Sequence, residues 1–243
     1  MKDLLVILQA RMGASRLPGK MSLSISGETI LECVLSRLKS EIDKDNIVVA
    51  TTSRVHDDGL AEEVLSNGCF VFRGSESDVL SRYIAISKKF NKKYVCRMTG
   101  DSPLVDPKLI IECYEQLKNT GADYVSTTLE DRFPVGVHIE IFRAEFLNNV
   151  QELACESVSR EHVTPFIYNN KDNLCLVSDS DRLYPEGRYT LDFLEDFTFF
   201  SAAVRALCKR KLSEVTREDL WRLSKEQPRI FEINKSIVKS RTA

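Results

Sequence analysis

Three basic residues stand close together near the start of the chain. Arg11, Arg16 and Lys20 are interleaved with Gly13 and Gly19 in VILQARMGASRLPGK. Arginine and lysine bring permanent charge with forked or point-like N–H donors, and glycine admits backbone conformations that turn amide N–H groups toward an anion. That is phosphate-binding chemistry. The loop contains neither a Walker-type GxxxxGK pattern nor GxGxxG, so any phosphate here is held by a different scheme. The same residues also fit an ordinary strand followed by a solvated basic loop. Two carboxylates extend the set: Asp101 in TGDSP and Asp192 at the end of RYTLD. A triphosphate arrives with a hard divalent cation that takes oxygen ligands, typically one or two protein carboxylates with phosphate oxygens and water. Asp101 and Asp192 suit that role. They equally suit a turn or cap before SPL and an N-cap, respectively.

Such residues need a scaffold that brings them together, and hydrophobic periodicity supplies one. Leu4–Leu8 reads as a buried strand feeding the basic loop. Thr29 and Glu32 form a capping box for a helix to about Lys39, with Ile30, Leu31, Val34, Leu35 and Leu38 on one face. Ile47–Ala50, Cys69–Phe72, Tyr94–Met98 and Asp123–Thr127 read as further strands. Between them lie helices from about Asp57 to Ser66, from Asp78 to Phe90 with Ser75 or Ser77 as cap, and after Asp106-Pro107, an N-cap followed by proline at the first helical position. Strand, helix, strand, helix is the rhythm of a parallel sheet. Loops that follow parallel strands emerge on one edge, so Arg11–Lys20, Arg73–Asp78 and Thr99–Pro103 are expected to share a crevice. Asp192 joins it if the late segment lies beside the fourth strand.

The rhythm then changes. Phe133–Gly136 reads as a turn and Val137–Phe142 as an alternating antiparallel strand, so the sheet is expected to be mixed. Ser159–Tyr168 reads as a helix interrupted at Pro165, Leu174–Ser178 as a strand, Leu194–Leu207 as a helix, and Thr216–Ala243 as one more helix with a polar, frayed end. The expected fold is a single α/β domain over residues 1–243, Rossmann-like, with a mostly parallel mixed sheet flanked by helices and an inserted β-arm at about residues 130–175.

With 243 residues, 43% hydrophobic and 29% charged, the chain can bury a large core without staples, as an ordinary soluble domain does. A net charge of −2 argues against a nucleic-acid partner. Apolar runs such as LLVIL are too short to span a bilayer, and MKDLL opens no signal-peptide core, so a cytoplasmic protein without a membrane partner is expected. The seven cysteines form no CxxC pair and read as reduced, mostly buried small hydrophobes.

Taken in order, QARMGASRLPGK, RGSESDVLSRY, TGDSPLVDP, RFPVGVHIEIF, SREHVTPFIY and RYTLDFLEDF resemble the cytidylyltransferase superfamily, in particular the spore coat polysaccharide biosynthesis protein F group related to CMP-acylneuraminate and CMP-Kdo synthetases. The resemblance runs from about Leu5 to Phe200. It implies an enzyme of the nucleotidyltransferase class that moves CMP from CTP to an acidic sugar or phosphorylated small acceptor, releases pyrophosphate, uses Mg²⁺ and serves cell-surface polysaccharide synthesis. It implies triphosphate contacts from Arg11, Ser15, Arg16 and Lys20. It also implies cytosine contacts from Arg73, Gly74, Ser75, Asp78 and Val79 above Ala10, and metal contacts from Asp101 and Asp192, the latter oriented by Asp196. Arg11, Lys20 and Asp101 are the implied catalytic residues. Transfer of this kind needs positioning and charge stabilisation rather than covalent help.

On the acceptor side the matched positions are Arg132, Glu140, Arg160 and His162, where related enzymes bind sugar or dimerise; an interface or core-edge role fits them equally. A homodimer is expected, with Val137–Phe142 as a suitable arm. Where acid-sugar synthetases read RxxSxRxPxKN, Met21 follows Lys20 here. The alternatives are a nucleotidyltransferase using UTP or dTTP, a nucleotide-sugar glycosyltransferase, and a non-catalytic homologue.

Overall fold

The computed structural model describes residues 1–128, 133–147, 160, 163 and 183–239. In chain order the elements are β1 (Leu4–Gln9), β2 (Ser24–Ile25), β3 (Glu28–Thr29), α1 (Ile30–Lys39), β4 (Ile47–Thr52), α2 (Asp58–Ser66), β5 (Phe70–Gly74), α3 (Val79–Phe90), β6 (Tyr94–Thr99), α4 (Pro107–Thr120), β7 (Tyr124–Ser126) and β8 (Glu140–Arg143), followed by α5 (Leu194–Ala206), α6 (Arg217–Glu226) and α7 (Lys235–Lys239).

Leu4 to Leu8 of β1 are all fully buried. A strand apolar on both faces is satisfied only between two layers. Leu4, Val6 and Leu8 pack with residues of α1, α2, α4 and α5, whereas Leu5 and Ile7 pack with Leu80, Tyr83 and Ile84 of α3. Each such buried aliphatic side chain stabilises the fold by about 1.5–3 kcal/mol. The facing helices begin where the sequence places them. Thr29 accepts from Glu32 N at 3.0 Å while Glu32 accepts from Thr29 N at 2.9 Å, and Asp106 caps α4 ahead of Pro107.

Six strands form one sheet in the order β5-β4-β1-β6-β8-β7. β1 runs parallel to β4 and β6, and β4 to β5, while β8 is antiparallel to both β6 and β7. From β1 the chain steps outward to β4 and β5, then returns through α3 to β6 on the other side of β1. This reversal is a topological switch point, and a crevice opens there at the carboxyl ends of the strands.

Three expectations need correction. The strand expected as a dimer arm lies inside the sheet, with both edges of β8 paired, because Ile141 and Phe142 fill opposite faces of the core. Ser75 and Ser77 do not cap α3; Asp78 does, accepting from Ser81 N at 3.0 Å, and Ser75 Oγ instead accepts from Asp78 N at 3.1 Å. The tail holds two helices, α6 and α7, where one was expected. Arg188–Asp192 runs beside the fourth strand's loop without a full ladder, through Leu191 N to Asp101 O at 2.7 Å and Tyr189 N to Val135 O at 2.8 Å. The expected helix at 159–168 and strand at 174–178 lie outside the described residues, Arg160 and Val163 excepted. Among the described cysteines, Cys33, Cys69, Cys96 and Cys113 are buried free thiols and Cys208 is exposed.

Candidate active site

β1 ends at Gln9 and releases the chain into a loop that closes on itself. Met12 O accepts from both Ala14 N and Gly19 N at 2.9 Å, and Gly19, at φ 72°, makes the left-handed turn that delivers Lys20. A buried carboxylate anchors this loop. Asp57 accepts from Met12 N at 2.7 Å and from the Thr52 hydroxyl. No sequence pattern marks Asp57, since a lone acid before a helix reads as a cap.

Lys20 is 9% exposed, and its ammonium meets Asp101 Oδ2 at 2.7 Å, Leu191 O at 3.0 Å and Asp192 Oδ1 at 3.1 Å. Arg16 reaches the same Asp192 Oδ1 at 2.9 Å, and Arg188 takes Oδ2 at 2.8 Å. Behind them Arg188 Nε donates to Asp196 Oδ1 at 3.0 Å, and Asp196 Oδ2 accepts from the Asp192 and Phe193 amides. Asn234 donates to both Asp196 Oδ1 and Arg188 O at 3.0 Å. Asp196 therefore orients Asp192, as the resemblance implied. The Phe193 ring lies under two guanidinium groups, Arg16 at 5.3 Å and Arg188 at 5.8 Å. Burial raises the Asp192 carboxyl, but the Lys20 ammonium, its hydrogen bond, and the Arg16 and Arg188 charges outweigh it and hold the group below its ordinary 3.8.

Of these groups Arg16, Lys20, Asp101 and Asp192 line a cleft of about 180 Å³ with Ala10, Arg11, Ser15, Met21, Val79, Gly100 and, from unforeseen positions, Gln9, Glu76 and Arg82. That volume falls below the roughly 300–1,000 Å³ of a small-molecule pocket. The cleft continues into a shallower depression lined by Gly74 and Ser75, with Arg11 and Glu76 belonging to both. Glu76 pairs with Arg11 at 3.1 Å and Arg54 at 3.0 Å, so it holds Arg11 at the junction. Met21 fills the floor. A Cβ on Gly100 would stand 2.8 Å from Met21 Cε and 3.1 Å from Ala10 Cβ, so the bulky residue after Lys20 and the glycine of TGD are matched in shape.

Other expected contacts are elsewhere. Arg73 turns from the cleft to Thr52 O at 2.9 Å, Arg54 O at 2.7 Å and Asp58 at 2.6 Å, so its donors hold the loop after β4 together. Asp78 is occupied by its cap and by Arg160, which donates from Nε at 3.1 Å and from Nη2. Glu140 is buried, bonded to Arg97 and accepting from Tyr124 Oη at 2.6 Å, an arrangement of the sheet interior away from the cleft. Arg132 and His162 lie outside the described residues.

A cation is thus already held between Asp101 and Asp192, next to a strand-end loop carrying further cations. The family model for cytidylyltransferases matches residues 5–237. The chain belongs to the cytidylyltransferase family. It is 31% identical to the spore coat polysaccharide biosynthesis protein SpsF of Bacillus subtilis over 94% of this chain and 96% of that one. A solved cytidylyltransferase from Leptospira borgpetersenii superposes with a TM-score of 0.87 at 31% identity, over 94% of this chain and 96% of that one. The structure of a CMP:2-keto-3-deoxy-manno-octonic acid synthetase complexed with CTP matches at a TM-score of 0.60 and 17% identity, covering 84% and 98%, and shares the fold. The chain is accordingly a nucleotidyltransferase enzyme, which sets aside the glycosyltransferase and non-catalytic readings. Among the described residues no helix is long and apolar enough to cross a membrane.

Proposed function

We propose that this cytidylyltransferase uses CTP and Mg²⁺ to transfer CMP to a small anionic acceptor, an acidic sugar or a phosphorylated small molecule, in polysaccharide synthesis. The observation that carries this reading is the position of Lys20 Nζ, shared between Asp101 and Asp192 at 2.7 and 3.1 Å. An ammonium there stands in for a metal cation, so the two carboxylates have the spacing and charge to accept one. Among the described residues there is no group of three or more His, Cys, Asp or Glu side chains that could hold a metal. That suits Mg²⁺, which typically takes only one or two protein carboxylates with phosphate oxygens and water. When bound by Asp101 and Asp192, it supplies charge neutralisation on phosphate oxygens.

The chain's own residues do the rest. An acceptor oxygen bonds to the α-phosphorus, the bond to the β-phosphate breaks, pyrophosphate departs, and the acceptor's proton passes to solvent. Arg11, Arg16 and Lys20 neutralise charge that builds on the departing pyrophosphate, a role that needs fixed donors rather than a nucleophile. In the free enzyme Arg16 and Lys20 are held by carboxylates instead. A triphosphate draws them away, and the carboxylates so released are the ones a metal requires. Either exchange alone leaves partly buried charge unpaired, which is costly. Nucleotide and metal binding are therefore coupled.

The test is pyrophosphate release from CTP with a panel of eight- and nine-carbon keto acids and polyol phosphates. One acceptor is expected to stimulate release with Mg²⁺ present. Release that never depends on an acceptor, or that proceeds as well with UTP or dTTP, contradicts the reading.

A further inference from the structure

Asp192 is carried on a segment that is not locked by a full ladder. Two backbone bonds tie Arg188–Asp192 to its neighbours, Tyr189 N to Val135 O at 2.8 Å and Leu191 N to Asp101 O at 2.7 Å. Further support comes from near the end of the chain. Asn234, immediately ahead of α7, is 1% exposed. A carboxamide nitrogen has two hydrogens, and both are used, on Arg188 O and on Asp196 Oδ1, each at 3.0 Å. A carbonyl and a carboxylate can only accept, which settles the end of the amide that faces them. The bond to Arg188 O holds the start of the segment. Asp196 holds its end, through the Asp192 amide at 2.9 Å.

The place of the Arg188 guanidinium follows from this. Its Nε lies on the same Asp196 Oδ1 that Asn234 holds, at 3.0 Å, and its Nη2 reaches Asp192 Oδ2 at 2.8 Å. Asp192 Oδ1 is the oxygen that Lys20 and Arg16 share, at 3.1 and 2.9 Å. One oxygen is therefore clamped by a cation built into the fold, and the other meets the cations of the phosphate loop. A guanidinium that slid onto Oδ1 would compete there with any entering metal.

We infer that Asn234 is a positioning residue for the metal-binding carboxylate, keeping Arg188 on Oδ2 so that Oδ1 is available once Lys20 and Arg16 turn to the triphosphate; this rests on the Mg²⁺-dependent reading above. Partners that hold a ligating carboxylate typically change metal affinity by about 10–100-fold when removed.

Calorimetric titration of CTP at rising Mg²⁺ concentration, and in EDTA, tests this without turnover. Wild type is expected to bind CTP more tightly as Mg²⁺ is added. In Asn234→Ala the Mg²⁺ concentration that gives half of this gain is expected to rise about 10–100-fold, while CTP affinity in EDTA stays within about twofold of wild type, because Arg11, Arg16 and Lys20 are untouched. Asn234→Ser, which offers a single donor, is expected to fall between the two. Asp196 keeps Arg188 Nε and two amides as donors in both variants, so both are expected to fold. Leu223→Ala, which opens buried packing under α6 without touching these bonds, is expected to lower the urea midpoint and leave the Mg²⁺ requirement at its wild-type value. An unchanged Mg²⁺ requirement in Asn234→Ala, an equal loss of CTP affinity with and without Mg²⁺, or the same shift in Leu223→Ala would reduce Asn234 to a stabiliser of the tail. A wild type whose CTP affinity ignores Mg²⁺ overturns the metal-dependent reading itself.

Discussion

Lys20 has three donors, and all three have partners: Asp101, Leu191 O and Asp192. Whatever it does for a nucleotide, it does by exchange. Asp101 is the less buried of the two carboxylates, its side chain 26% exposed against 9% for Asp192. Asp101→Asn is therefore expected to keep its melting temperature while acceptor-dependent pyrophosphate release falls about 10²–10³-fold. Turnover near wild type would remove Asp101 from the metal site. Asp196 behaves oppositely. It is fully buried and accepts from Arg188 Nε, Asn234 and the Asp192 and Phe193 amides, so Asp196→Ala leaves these buried donors without their acceptor and is expected to cost about 3–5 kcal/mol of stability, measured by urea unfolding. Arg11, Arg16, Lys20 and Asp101 could be brought to one cleft from sequence because each follows a strand of the parallel sheet, whereas Asp192, on a segment without a full ladder, could be placed there only on condition that this segment lay beside β6. Asp57, Glu76 and Arg82 were not legible. A single acid or base in a loop or helix has no sequence signature until folding shows what it faces, and Arg73 misled for the same reason.

At the scale of elements, the segment that carries Asp192 depends on one turn. Gly136, at φ +99°, lets the chain at 133–137 lie against Tyr189 and Thr190; a Cβ there would fall 2.1 Å from Tyr189 C and 2.3 Å from Thr190 N. Backbone cannot yield as a flexible side chain can. Gly136→Ala is expected to destabilise the fold by more than about 3 kcal/mol and to weaken CTP binding with it, read by urea unfolding and calorimetry. The start of α6 makes a milder case. Burial raises the Asp219 carboxyl, but hydrogen bonds from Lys209 and Thr216 bring it below its ordinary 3.8. A depressed value stabilises the folded state above the unfolded value, and that contribution is lost as pH falls through the folded one. Protection of the α6 amides in hydrogen exchange is expected to fall below about pH 4, and to fall less in Asp219→Asn. Helices and parallel strands were readable because period and caps agree. β8 was read correctly as antiparallel, yet its interior place in the sheet depends on pairing between β6 and β7, which local pattern does not encode.

Over the whole molecule, the sheet reverses its order beside β1, and the loops leaving β1 and β6 meet the late Arg188–Asp192 segment at that point. Residues 20, 101 and 192 converge because topology, not proximity in sequence, places them together. The account's central claim is that this convergence is a joint site for nucleotide and metal, with Lys20 and Arg16 leaving the carboxylates as a metal enters. Titration of CTP into the enzyme by calorimetry, with and without Mg²⁺ and repeated with Lys20→Met, tests that claim most directly. Mg²⁺ is expected to tighten CTP binding at least about fivefold, and Lys20→Met to weaken CTP in both conditions. CTP affinity that ignores both Mg²⁺ and the loss of Lys20 would contradict it.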